Sequence, residues 1–294
     1  MIMKRMFLTI ALTAISAFGL MAEEKSKVYD FGDITGINAG GSYHLHITEG
    51  KSGKVEVVYD SSIEEYITLD VRYSGGNLHL FTNQMKKLKS WTNNTEVHVY
   101  LEMDDVRSID LSGAAKARFE GDFKTENLIL EISGAASLNE ISIKGQNLEA
   151  EISGAASAGI TGNFKKKIDI DLSGAAKLSM VSDSESLEAD ITGASKMKYS
   201  GNFNECEINC SGASNVELSG NAVKAEYDCS GASFINAENL IARNVNVELT
   251  GASKAKVNAS ENLYYNVSRG SKMTYYGKAE LHNVSSDSNV VKGN

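Results

Sequence analysis

The 294-residue chain has no proline, one tryptophan and only three cysteines. Without proline, its many turns must be made by other residues, chiefly the 26 glycines. That fits strands whose backbone N–H groups are nearly all needed in ladders. Cys206, Cys210 and Cys229 do not have a zinc-site spacing, and they are too few for a disulfide framework. Long apolar runs are also scarce. Met6–Leu20 is the one sustained stretch, too short for a comfortable membrane span. No segment shows a sustained 3.6-residue period, which excludes a helical return of the leucine-rich type. Two further absences concern catalysis, since there is neither a G-x-S-x-G elbow nor an H-E-x-x-H pair. Gly50-Lys51-Ser52 looks like the end of a phosphate loop, but Leu45 stands where the earlier glycine belongs.

What the chain does have is one phrase written eight times: an apolar residue, Ser or Thr, Gly, Ala, then Ala or Ser. Its glycines are Gly113, Gly134, Gly154, Gly174, Gly193, Gly212, Gly231 and Gly251, a period of 19 to 21 residues. Worn copies follow from Val267 and Val284. A fixed period in this range means stacked supersecondary units. Counting from each Gly as zero, positions −6, −4 and −2 are mostly apolar, as in Leu128/Leu130/Ile132 and Ile168/Ile170/Leu172. Positions −5 and −3 between them are mostly charged or polar. Period two predicts a strand with one buried face. Positions +4 and +6 predict a second strand, and a further glycine recurs at +8 (Gly121, Gly162, Gly201, Gly220). The expectation is an all-β chain, a parallel β-helix with one coil per repeat. Parallel crossovers are right-handed as a rule.

The first 22 residues have the form of a signal peptide. Lys4 and Arg5 precede the apolar run, and Leu20-Met21-Ala22 offers a small-residue cleavage site. No cysteine follows for a lipid anchor, so the expectation is a periplasmic, outer-surface or secreted protein. Removing Lys4 and Arg5 takes 29 basic residues to 27 against 38 acidic, a formal charge of −11. That argues against nucleic acid and anionic lipid as partners. Residues 23–105 predict strands at Tyr43/Leu45/Ile47, Val55/Val57, Leu69/Val71/Tyr73, Leu78/Leu80 and Val97/Val99/Leu101. Gly75-Gly76 predicts a hairpin turn, and Met85–Trp91 a basic surface turn. This region is expected to form irregular first coils and a cap, with regular coils over 106–294.

Asp33-Ile34-Thr35-Gly36-Ile37-Asn38, Tyr43-x-Leu45-x-Ile47, Leu78-x-Leu80 and the serial S-G-A-[AS] phrases resemble the auto-transporter adhesin head GIN domain family. The resemblance covers most of the mature chain. It implies an exported protein with a right-handed parallel β-helix and brings no catalytic activity, cofactor or site residues.

Candidate sites come from the outward positions. Position −3 runs Asp110, Glu131, Glu151, Asp171, Asp190, Asn209, Asp228, Glu248; position −5 runs Ser108, Ile129, Glu149, Asp169, Glu188, Glu207, Glu226, Asn246. Stacked coils would align twelve carboxylates in two columns. Neighbours roughly 4.8 Å apart repel by about 0.9 kcal/mol even in water. Three readings fit: a solvated face, compensation by the +3 lysines (Lys116, Lys177, Lys196, Lys254), or a Ca²⁺ or basic-partner site centred on Glu151, Asp169, Asp171, Glu188 and Asp190. The −1 hydroxyl column (Ser112 to Thr250) is expected to satisfy turn backbone groups. The three cysteines point inward; Cys210 and Cys229 would stack in neighbouring coils within disulfide range, but in-register side chains are poorly aimed for a bond, so buried thiols are expected. His44 and His46 face outward together, but no third metal ligand is identifiable beside them.

The functional expectation is an exported, non-catalytic binding, adhesin or structural module of the cell envelope. Its partner would be a glycan or protein at the cell surface, with homo-oligomers open. The rival class is a polysaccharide lyase or hydrolase, whose sites need irregular loops that this regular repeat lacks.

Overall fold

The structure is a computed structural model that describes residues 24–65, 67–84, 96–268, 270–283 and 289–293. The signal-peptide segment, the basic turn Met85–Trp91 and the worn phrase Val284–Ser288 lie outside the described residues. About 75% of the described residues are in strands. Among the described residues 22 strands join one sheet, wound into a β-solenoid of about nine turns. Among the described residues no helix is long and apolar enough to cross a membrane.

The repeat sets the register directly. Leu128 pairs with Leu148, Leu148 with Ile168, Ile168 with Leu187 and Leu187 with Cys206, each one repeat further on. These side chains are buried. A slip by one residue would turn every apolar column to water, so the pairing is strongly specified. The sequence alternation does not reveal a further inward column, at +2. Ala115, Ala136, Ala156 and Ala176, then Ser195, Ser214, Ser233, Ser253 and Ser271, are all buried. The fifth residue of the phrase therefore fills the core beside the corner, where only a small side chain fits.

The repeated glycines make that corner. All eight have φ between 69° and 74°, a left-handed conformation nearly closed to other residues. Space is the second constraint. A Cβ on Gly174 would lie 2.8 Å from the carbonyl oxygen of Gly154. That carbonyl accepts the Ala175 N–H at 2.7 Å, and Ala194 repeats the bond to Gly174 at 2.7 Å. The ladder thus runs through the corner without a gap.

The N-terminal region contains strands β1 (Glu24–Asp30), β2 (Gly36–Gly41), β3 (Tyr43–Glu49), β4 (Lys54–Asp60), β5 (Ile67–Ser74), β6 (Asn77–Gln84), β7 (Val97–Met103), β8 (Ser108–Gly113) and β9 (Lys116–Glu120). β2 pairs in parallel with β8, placing Gly41 beside Gly113, and β3 pairs with β9. So β2 and β3 form a coil of the solenoid without carrying the GA phrase. β6 and β7 stack on its other side as the outermost coil. The chain then closes this end with antiparallel strands: β4 on β7, β1 on β4, and β5 on β6. Gly75 and Gly76, at φ 59° and 89°, form the two-residue turn between β5 and β6. Covering an open coil in this way limits edge-to-edge pairing.

Candidate functional site: the carboxylate and hydroxyl face

The −3 and −5 columns are continuous. Asp110, Glu131, Glu151, Asp171 and Asp190 are successive register partners, as are Glu149, Asp169, Glu188, Glu207 and Glu226. Asn38 and His79 extend the −3 column into the first coils. Asn38 donates its side-chain amide to Asp110 at 2.6 Å. Beside the −3 carboxylates runs a shallow groove whose other bank is Ser133, Ser153, Ser173 and Thr192.

The two acidic columns differ in how their charge is met. Lys167 Nζ donates to Asp169 and to Glu188 of the next coil, both at 2.8 Å. Lys224 does the same for Glu226 at 2.8 Å, and Asn246 adds a bond to that carboxylate at 3.2 Å. Glu226 is accordingly held below the usual range, first by the Lys224 hydrogen bond and then by Asn246. These lysines sit at −7, not at +3. Among the described residues, Lys116, Lys177, Lys196 and Lys254 form no ion pair with the acidic columns. The expected +3 compensation is therefore replaced. A −7 side chain leaves on the same sheet face as −5, whereas +3 lies beyond the Gly corner on the next face.

The −3 carboxylates of Glu131, Glu151, Asp171 and Asp190 have no lysine or arginine partner among the described residues. Asp171 shows the consequence. Its carboxyl is raised above the ordinary value by burial first, then by Asp190, Asp169, Glu151 and Glu188. The five acids singled out in the sequence are thus brought together around Asp171.

The hydroxyl column only partly serves the turn. Thr192 and Ser230 donate to the −2 carbonyls of Leu172 and Cys210, at 3.3 and 3.4 Å. Ser133, Ser153 and Ser173 line the groove. Cys206, Cys210 and Cys229 are buried and unbridged. Burial pushes the Cys206 thiol up to about 12, far from a reactive thiolate. His44 and His46 point outward from β3 and meet residues that no sequence signal linked to them. His98 of β7 is the register partner of His44, and Glu96 lies next to both.

Residues 33–180 and 165–279 match the family described as "Putative auto-transporter adhesin, head GIN domain". The chain belongs to this family. The two matches overlap, as expected where one coil resembles the next. Among curated proteins no relative matches the chain in sequence. Among solved structures, a "putative adhesin" from Parabacteroides distasonis is similar, with 17% identity and a TM-score of 0.52 over 92% of this chain and 97% of that one. A "putative adhesin" from Parabacteroides merdae has 16% identity and a TM-score of 0.44, covering 92% and 93%. A "Putative lipid binding protein" from Parabacteroides distasonis has 14% identity and a TM-score of 0.42, covering 92% and 97%. At these identities the first likeness speaks to the fold alone. The head GIN domain match supports an adhesin or binding protein rather than an enzyme family.

Proposed function

We propose that this head GIN domain chain is an exported, non-catalytic binding module of the bacterial cell surface. Its partner docks along a lateral face of the solenoid. The observation that carries this reading is the −3 column, a run of carboxylates without cationic partners beside a bank of hydroxyls. Such a face offers repeated identical contacts, which suits a long partner engaged at many weak points. Its charge favours a protein surface bearing lysine and arginine over an anionic glycan. Among the described residues no loop walls off a reacting bond in the shallow groove, which favours a non-catalytic role. The signal-peptide pattern at Met1–Ala22 supports export.

The test is binding of the untagged mature chain to immobilised cationic proteins and to neutral and acidic glycans, over a range of salt. The expected result is salt-sensitive capture by cationic protein, weakened in Asp171→Asn with Asp190→Asn. Capture unaffected by both changes would overturn the docking face. Turnover of any polysaccharide would overturn the non-catalytic reading.

A Ca²⁺ ion on the same face is a second reading, favoured by the acids gathered at Asp171. Calcium takes six to eight oxygens. Lys167 already holds Asp169 and Glu188, leaving Glu151, Asp171 and Asp190. Calcium is therefore expected to produce no rise in melting temperature over EDTA at fixed ionic strength. A rise of several degrees, lost in Asp171→Asn, would favour the ion.

A further inference from the structure

The first coils carry a cluster of different chemistry. His44 on β3 and His98 on β7 are direct register partners, with ring centroids 5.1 Å apart. Glu96, just ahead of β7, spans them: its two oxygens lie 3.6 Å from His44 Nε2 and 3.7 Å from His98 Nε2. One ligand atom from each of His44, Glu96 and His98 falls within 4.8 Å of the others. A tetrahedral ion with bonds near 2.0–2.1 Å holds its ligand atoms about 3.4 Å apart. The two histidine–carboxylate separations are already close to that figure.

We propose that His44, His98 and Glu96 form a binding site for a divalent transition ion of the zinc class. Nitrogen-rich donors suit zinc, copper and nickel and disfavour calcium or magnesium. Two histidines and one carboxylate leave a fourth position for water or for a donor from a bound partner.

The surroundings fit the same assignment. His46 Nε2 and His98 Nδ1 are 3.1 Å apart. When His98 ligates through Nε2, its Nδ1–H donates to His46 Nε2, fixing both tautomers as an outer-shell partner does. His46 is held in turn by stacking on Tyr100, centroids 4.6 Å apart at 12°. The charged and titratable groups facing the cluster are Glu96, Tyr100, Lys116, Arg118, Glu120 and the three histidines themselves. Neutral imidazole is the form that binds metal. The site lies in the first coils, apart from the acids around Asp171.

The test is zinc titration of the untagged chain by calorimetry, with parallel NMR of the histidine ring protons. The expected result is one equivalent bound, with rings 44 and 98 shifted and those of His79 and His282 unmoved as internal controls. His44→Asn, His98→Asn and Glu96→Gln should each weaken binding at least about tenfold, and His46→Phe by about 10–100-fold. Asp171→Asn with Asp190→Asn should leave it unchanged. Affinity should also fall as pH drops and the imidazoles protonate. No binding, or zinc shifting His79 or His282 in place of His44 and His98, would overturn the site. The ring shifts come from the unmodified chain, so the test stands even where a variant fails to fold.

Discussion

At the scale of single residues, the +2 column shows most sharply what one atom does. Four alanines, Ala115 to Ala176, give way to serines from Ser195 onward at the same buried position. Ser233 uses its hydroxyl, donating to the Ser230 carbonyl at 2.8 Å, and Ser253 donates to the Cys229 carbonyl at 3.1 Å. Among the described residues the hydroxyls of Ser195 and Ser214 have no hydrogen-bond partner. A buried hydroxyl without a hydrogen bond costs about 1–3 kcal/mol. Ser195→Ala and Ser214→Ala are therefore expected to stabilise the chain, each by roughly 1 kcal/mol, whereas Ser233→Ala should destabilise it. Urea melts of the three variants check this, and a loss in the first two would mean that those hydroxyls are satisfied.

Asp171 gives a pH-dependent case of the same kind. Its raised value means that the folded chain holds this proton to higher pH than the unfolded chain does. The charged carboxylate therefore costs stability above the raised value, and the cost is relieved as pH falls through it. Asp171→Asn is expected to stabilise at pH 7 by about 0.2–1 kcal/mol, the scale of a cross-strand charge pair. The gain should shrink toward about pH 4, near the ordinary aspartate value. Melts at both pH values measure it, and a gain that grew on acidification would contradict the assignment.

At the scale of the coil, the corner glycine governs. Gly174 combines φ of 74° with a neighbour carbonyl only 2.8 Å from any added Cβ. Gly174→Val should cost several kcal/mol, because a β-branched residue is both strained at positive φ and in collision with backbone. Gly75→Ala, with nothing within 4 Å of its added Cβ, meets only the φ strain and should cost less. Chemical denaturation of both ranks them, and equal losses would show that crowding contributes nothing.

The regular coils were legible in the sequence because inward and outward positions alternate within each strand leading to a Gly corner, as at Leu128–Ile132 and Ile168–Leu172. The coil of β2 and β3 was legible only in part: Tyr43/Leu45/Ile47 marked a strand of an irregular first coil, but the cap strands separate Gly41 from Gly113, its structural equivalent. The −5 and −3 acids were legible as columns, yet the lysine partners of the −5 acids at −7 were not. Side-chain reach along one face has no periodic signal. His98 escaped for a third reason: its alternation marked it as outward, but only the register of β3 against β7 brings it to His44.

At the scale of the whole molecule, the solenoid is a sum of nearly equivalent units, each in contact mainly with its two neighbours. Such an array should tolerate loss of a whole unit and not of a fraction. Residues 157–176 make one full coil, and removing them joins Ala156 to Lys177, whose register partner in the adjoining coil is Ser157. The inward and outward columns then continue in phase. The shortened chain is expected to fold cooperatively, with a strand-rich circular dichroism spectrum and a rod about 4.8 Å shorter by small-angle scattering. Removing residues 157–166 alone should unfold the neighbouring coils, since the +3 strand would then meet the −7 strand of the coil before it. The two deletions differ in phase as well as in length. Equal collapse of both would mean that the coils do not act as separable units. Folding of the first alone would place the specificity of the whole rod in the local 19-to-21-residue register.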